Sequence, residues 1–361
     1  MAEPFKNFFN EKLVSELANA IIGVHKKFNK NKLLQLVFDN EWENRELKER
    51  MRHISMSLFS AFDMKFVDAI KILQKVADDF EGFSSIIFAD FVEVYGLDNF
   101  NESVSALEQF TKKSSSEFAV RPFIVKYPEK MMKQMYKWSK SSDHHVRRLS
   151  SEGCRPRLPW AMALPEFKND PSPILPILET LKNDESEYVR KSVANNLNDI
   201  SKDHPELVLK IAKEWLGKSK ETDWVVKHAC RTLLKKGNKE ALGMFGVSKT
   251  IATEVLQLKM ENEKIKIGET TSFSFDVKLK EKSAQKIRLE YKVHYVNGSG
   301  GISQKIFKIS EIELQSNEIK SYKKKISFKD LTIRKHFPGK HLLIIVVNGV
   351  DKKAITFTLY R

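Results

Sequence analysis

The apolar residues of this 361-residue chain change their period near residue 246. Before that point they recur every three to four positions; after it they alternate. The first spacing keeps one face of a helix toward a core, the second one face of a strand, so the two parts must fold differently. Leu13, Leu17, Ile21 and Val24 fall on one helical stripe, as do Phe66, Ile70, Leu73 and Val76. Prolines lie between such segments or at their starts. Asp170-Pro171 is expected to cap and open a helix. Asp203-His204-Pro205-Glu206 reads as a capping box before a helix running to Trp215. Beyond Gly246, Phe273, Phe275, Val277 and Leu279 alternate with polar residues, and so do Ile287, Leu289, Tyr291, Val293 and Tyr295, then Ile355, Phe357 and Leu359. Turn signals separate the runs: Asn297-Gly298-Ser299-Gly300-Gly301, Pro338-Gly339 and Asn348-Gly349. The spacing predicts seven to nine short strands in an antiparallel, immunoglobulin-type β-sandwich, without an inter-sheet disulfide because no cysteine falls there. The expected organisation is multidomain, α plus β. A helical domain spans residues 1–247, a linker 248–254 and the sandwich 255–361.

The helical part repeats weakly. Asp143-His144-His145-Val146-Arg147-Arg148 is echoed by Glu187-Tyr188-Val189-Arg190-Lys191 and by Asp223-Trp224-Val225-Val226-Lys227-His228, with valines 43 and 37 residues apart. That period suits a solenoid of HEAT-like helix pairs. Each valine is expected to face the next repeat and each early Asp to cap its helix. The basic pairs would then form a row along one surface, either bracing adjacent repeats or meeting phosphates.

Charge narrows the partners. Residues 251–361 hold 22 lysines and arginines against 12 acids, a net +10 of the chain's +15. Such an excess favours an anionic partner, nucleic acid above all. The first 250 residues hold 40 against 35, which leaves carboxylates available for chemistry. Cys154 and Cys230 have no second ligand set nearby, so neither a disulfide framework nor a zinc site is expected, and their usage suits a reducing cytoplasm. No apolar run approaches 18 residues and Met1 to Asn10 lacks a signal-like apolar stretch, so neither a membrane span nor a membrane partner is expected. Glycine-rich phosphate loops, HExxH and GxSxG are absent, and the adjacent His144 and His145 would point apart on a helix.

The segment from Val146 to Trp160 is the densest in chemistry. Arg148 and Glu152 are four apart and share a helix face. After Gly153, Arg155, Arg157 and Trp160 occupy a proline-stiffened turn. Asp199 lies at +10 from Val189 where Glu152 lies at +6 from Val146, a one-turn offset that could present both acids on one side of adjacent helices. Glu117 precedes Phe118-Ala119-Val120-Arg121 and could project from the previous repeat; Asp203 is accounted for as a cap. The competing reading is a salt-bridged helix end with Trp160 packed in the core.

Four segments, in order, resemble the bacterial DNA alkylation repair family AlkC, one of the AlkD-type HEAT-like-repeat DNA glycosylases. They are M-A-E-P-F-K-N-F-F-N-x-x-L-V at the start, S-E-F-A-V-R-P-F-I from Ser116, R-R-L-x-S-E-G-x-R-P-R-L-P-W from Arg147 and V-A-N-N-L-N-D-I-S-K-D-H-P from Val193. The resemblance covers residues 1–247, and some members carry a carboxy-terminal immunoglobulin-like domain. It implies excision of cationic N-alkylated bases, chiefly 3-methyladenine and 3-methylcytosine, from double-stranded DNA, without full base flipping. It also implies catalytic roles for Glu117, Glu152, Asp199 and Trp160.

Elementary chemistry agrees with those residue types. A cationic base is already a good leaving group. Breaking its glycosidic bond builds positive charge on the sugar, which carboxylates stabilise while orienting water. An indole face attracts a cation by roughly 0.5–2 kcal/mol. Neither a cofactor nor a metal is expected, and the enzyme is expected to be monomeric. Arg121, Arg148, Arg155, Arg157, Lys191 and Lys227 are the expected DNA contacts. The alternatives are a non-catalytic HEAT-repeat scaffold for nucleic acid or protein, and an RNA-binding protein. Convergence of three acids and an indole beside a basic groove would separate the enzyme from a scaffold.

Overall fold

The computed structural model describes residues 4–331 and 335–361; Met1 to Glu3, which begin the first of the four motifs, lie outside them. Contacts divide the chain into two compact units, Met1–His204 with Trp215–Ala229, and Pro205–Glu214 with Cys230–Arg361. Among the described residues no helix is long and apolar enough to cross a membrane.

The first unit is helical. Asn10 caps the helix Glu11–Val24 by accepting from the Leu13 amide at 3.0 Å, and the buried stripe runs through Val14, Leu17, Ala18 and Ile21. Val24 ends the helix half-exposed. In Phe66–Val76 the predicted residues Phe66, Ile70, Leu73 and Val76 are all buried. The three repeat helices, His144–Glu152, Glu187–Ile200 and Lys220–Ala229, pack in succession, and Val146, Val189 and Val226 are at most 1% exposed. Each such burial contributes roughly 1.5–3 kcal/mol. Asp143 caps the first of them, accepting from the amides of His145 at 2.8 Å and Val146 at 3.2 Å. The basic row splits. Arg147 binds the Asp184 carboxylate at 2.6 Å and 3.0 Å, and Arg190 donates to the backbone carbonyls of Asp184 and Glu185, so both brace one inter-helix loop. Asp170 does not open a helix. Its carboxylate is taken by the amide and hydroxyl of Ser172 in a tight turn, and the helix begins later, at Leu175.

The second unit carries eight strands among the described residues: β1 Thr253–Met260, β2 Lys264–Lys266, β3 Thr270–Leu279, β4 Gln285–Val296, β5 Ile302–Leu314, β6 Ile319–Ser327, β7 Gly339–Val347 and β8 Val350–Tyr360. They form a three-stranded sheet, β1-β3-β6, and a five-stranded sheet, β2-β8-β7-β4-β5, in which β2 runs parallel to β8. The alternating residues Phe273, Phe275, Val277, Leu279, Ile287, Leu289, Val293, Phe357 and Leu359 fill the core, as their period requires. Asn348-Gly349 joins β7 to β8 with both φ angles positive, as a two-residue hairpin requires. Gly349 is also pressed on Gly237, where an added Cβ would sit 2.5 Å from the Gly237 Cα, so helix Arg231–Lys235 ends against the β7–β8 turn.

Candidate active site

Helix His144–Glu152 stops at Gly153, and only glycine fits there. A Cβ would stand 2.5 Å from Val120 Cγ2 and 3.0 Å from Met135 Cε. That close approach brings the turn after Gly153 onto the helices Val120–Lys126 and Pro128–Trp138.

A chain of alternating charge starts from this helix end. Glu117 Oε2 takes the Ser115 hydroxyl at 2.9 Å and pairs with Arg148. Arg148 Nη2 lies 3.5 Å from Glu152 Oε1, which also accepts from Arg155 Nη1 at 2.6 Å. Arg155 Nε donates to Asp199 Oδ2 at 2.9 Å, and Lys202 to Asp199 Oδ1 at 3.0 Å. Burial works against the charge of Arg148, but Glu152 and Glu117 outweigh it and hold the guanidinium above its ordinary pKa. Arg155 is held high in the same way, by Glu152 and Asp199 against burial. Glu152 and Asp199 are buried, at 5% and 2% exposure. Three carboxylates and three cations therefore balance, with an arginine between each pair of acids.

The proline-rich turn is held from below by Arg121. This guanidinium is wholly buried and donates to the carbonyls of Gly153 at 2.8 Å, Arg155 at 2.9 Å and Met162 at 2.7 Å. Burial pushes its pKa down to about 10, so it is charged at neutral pH. The same burial pushes the Cys154 thiol up to about 12. Trp160 stands at the tip with φ +64° and is 63% exposed. A non-glycine residue held in that region costs about 1–3 kcal/mol. Its indole is therefore not a core residue.

A cleft of about 280 Å³ opens beside Trp160. Glu117, Phe118, Arg148 and Tyr188 share its wall, and Arg148 lies 4.8 Å over the Tyr188 ring. Glu117 and Trp160 thus meet the cleft directly. Glu152 and Asp199 do not line it and connect to it only through the ion pairs of Arg155 and Arg148. The wall combines a carboxylate and aromatic faces, which attract a cationic ligand, with the cations Arg148 and Lys48.

The residues expected at phosphates divide. Arg121 departs from that expectation, because a fully buried guanidinium given to three carbonyls cannot reach DNA. Arg148 and Arg155 are largely buried against carboxylates. Arg157 grips Asp203 through Nη2 at 2.6 Å and 3.0 Å, while a third of its side chain stays exposed. Lys191 pairs with Glu187 at 2.7 Å with half its side chain exposed, and Lys227 is partly buried. Tyr188, Lys202 and Lys48 went unassigned in the sequence. The i,i+3 spacing of Asp199 and Lys202 could have disclosed that pair, whereas Lys48 reaches the site from 112 residues away. Among the described residues no three His, Cys, Asp or Glu side chains are grouped to hold a metal ion.

Comparison with known proteins adds four findings. Residues 109–233 match the family model described as "DNA alkylation repair enzyme". Residues 254–361 match "Uncharacterised protein YhaZ, C-terminal Ig-like domain". The chain is 48% identical over 352 residues to "Uncharacterized protein YhaZ" of Bacillus subtilis, 98% of each being covered. It also superposes on the Pseudomonas fluorescens alkylpurine DNA glycosylase AlkC, solved bound to DNA containing an abasic-site analogue. There the TM-score is 0.94 and the identity 33%, over 99% of this chain and 100% of that one.

Proposed function

We propose, since the chain belongs to the AlkC family of alkylation-repair DNA glycosylases, that it releases cationic N-alkylated bases, 3-methyladenine and 3-methylcytosine, from double-stranded DNA. It does so as a monomer in the cytoplasm, by hydrolysis of the N-glycosidic bond. The observation that carries this reading is the cleft where Glu117 and the exposed Trp160 meet, backed by the buried carboxylates of Glu152 and Asp199.

The cationic base meets the Trp160 face and the Glu117 carboxylate; a neutral base can stack on the indole but lacks the attraction of its charge to either group. As the bond stretches, positive charge moves to the sugar, where the carboxylates lower its energy and orient water. Their own arginines hold them in place. The exposed position of Trp160 at the cleft wall is compatible with engaging the lesion without a full flip, as the family resemblance implies.

The test is a base-release assay on methylated duplex DNA with product identification. Free 3-methyladenine and 3-methylcytosine, with matching abasic sites, are expected. Tight DNA binding with no base released would favour a scaffold, and equal release from methylated RNA would move the substrate to RNA.

The β unit supplies grip on the duplex. Lys323 and Lys325 project from the outer face of β6, opposite the inward Tyr322 and Ile326. Replacing both with Gln is expected to reduce the slope of log affinity against log salt by up to about 2, at about 0.9 per lost phosphate contact. Fluorescence anisotropy across a salt titration measures this, and an unchanged slope would remove these lysines from the interface. Point changes serve better than deleting residues 255–361, which would uncover helix Arg231–Lys235 at Gly237.

A further inference from the structure

We propose that Lys48 is a positioning residue for base release, acting through Trp160; the inference rests on the glycosylase reading above. Lys48 is the second residue of the helix Leu47–Phe62. The helix dipole disfavours a cation there, so helix stability does not account for it. Its ammonium instead leaves the helix and donates to the backbone carbonyl of Trp160 at 2.8 Å. On the way it lies 5.3 Å over the ring of Phe118, the neighbour of Glu117. One side chain from the amino-terminal helices thus touches both walls of the cleft, one carrying the indole and the other next to the carboxylate.

Trp160 needs such a contact. Its φ of +64° belongs to a region that a tryptophan seldom adopts. Within the turn the backbone bonds near it are long, Ala161 N to Leu158 O at 3.3 Å and Leu164 N to Pro156 O at 3.2 Å. Arg121 anchors the chain two residues later, at the Met162 carbonyl, and leaves the Trp160 peptide itself to Lys48. Without the ammonium the peptide can rotate toward negative φ, which carries the indole out of its present place. Lys48 itself lines the cleft, where its charge disfavours a cationic base, so any favourable effect on release must pass through its hold on the turn.

Two measurements on the full-length protein test this. In the first, 5-fluorotryptophan is incorporated and the resonance missing from W160F assigns Trp160 among the five indoles. K48M is expected to shift or broaden that resonance alone, and K48R to restore it. This arm needs no base release, so it stands even if the glycosylase reading fails. In the second, release of 3-methyladenine is followed for wild type, K48M, W160A and the double variant. K48M is expected to lower kcat about tenfold with KM unchanged, and to cost less than twofold in the W160A background. An unmoved Trp160 resonance, or a kcat within twofold of wild type, overturns the proposal. So does a loss that is the same in both backgrounds, and a salt dependence of DNA affinity weakened by about one contact would then make Lys48 a phosphate ligand.

Discussion

Glu152→Gln is expected to keep DNA binding and to lose roughly 99% of base release. Gln preserves the shape of the side chain and can still accept from Arg155, whose Nη1 lies 2.6 Å from Glu152 Oε1. What it removes is one negative charge from a balanced set of three acids and three cations. Arg148 and Arg155 are then shared between Glu117 and Asp199 alone, and the cluster becomes net positive beside a site for a cationic base and a cationic transition state. One unit charge at about 6–8 Å, with an effective dielectric of about 20, is worth about 2–3 kcal/mol, or roughly 10²-fold in rate. Affinity for unmodified duplex should hold or rise slightly, since the lost charge repelled phosphates. Single-turnover release of 3-methyladenine, together with anisotropy on an abasic duplex, separates the two effects. Release at the wild-type rate would take Glu152 out of the chemistry. A collapse of binding and melting temperature together would make it a structural member of the ion chain instead.

The competing reading of this segment, a salt-bridged helix end, is half of what the molecule contains. The ion chain is there, yet the tryptophan is not in the core. Sequence spacing was enough to pair Arg148 with Glu152, because i and i+4 share a face whatever surrounds the helix. It was enough for the valines Val146, Val189 and Val226, whose repeat survives because each must face the next helix. It was also enough for the core of the β unit, where a one-residue error would have turned every side chain outward. It could not separate arginines facing solvent from arginines facing carboxylates. Arg155 meets Asp199 44 residues away and Arg157 meets Asp203 46 residues away, so their neutralisation depends on how repeats stack. Asp203, accounted for as a cap, proves to be an ion-pair partner for the same reason. Lys48 carries no local pattern at all, because the group it serves is a backbone carbonyl, and every residue has one.

Arg121→Met is expected to destabilise the protein by about 2–4 kcal/mol and to loosen the turn that carries Trp160. Methionine nearly fills the space but donates nothing. The carbonyls of Gly153, Arg155 and Met162 would each lose a donor at 2.7–2.9 Å, the first two of them buried. A buried polar group left unpaired costs about 1–3 kcal/mol, so the two buried carbonyls would cost about 2–6 kcal/mol. Against that stands the relief of no longer burying a charge, because no carboxylate is hydrogen-bonded to this guanidinium and burial has already pushed its pKa down to about 10. The difference should lower the melting temperature by roughly 5–15 °C. Cys154 reports on where the loosening occurs. Its thiol is fully buried beside Gly153 and pushed up to about 12, so it should resist a thiol reagent in the native protein. In the variant Cys154 should react much faster, while Cys230, buried elsewhere, should not. Arg121→Lys should recover little, since one ammonium cannot span carbonyls on both sides of the turn. A melting temperature within about a degree of wild type, with Cys154 still protected, would mean that the three carbonyls find other donors and that the turn stands without its arginine.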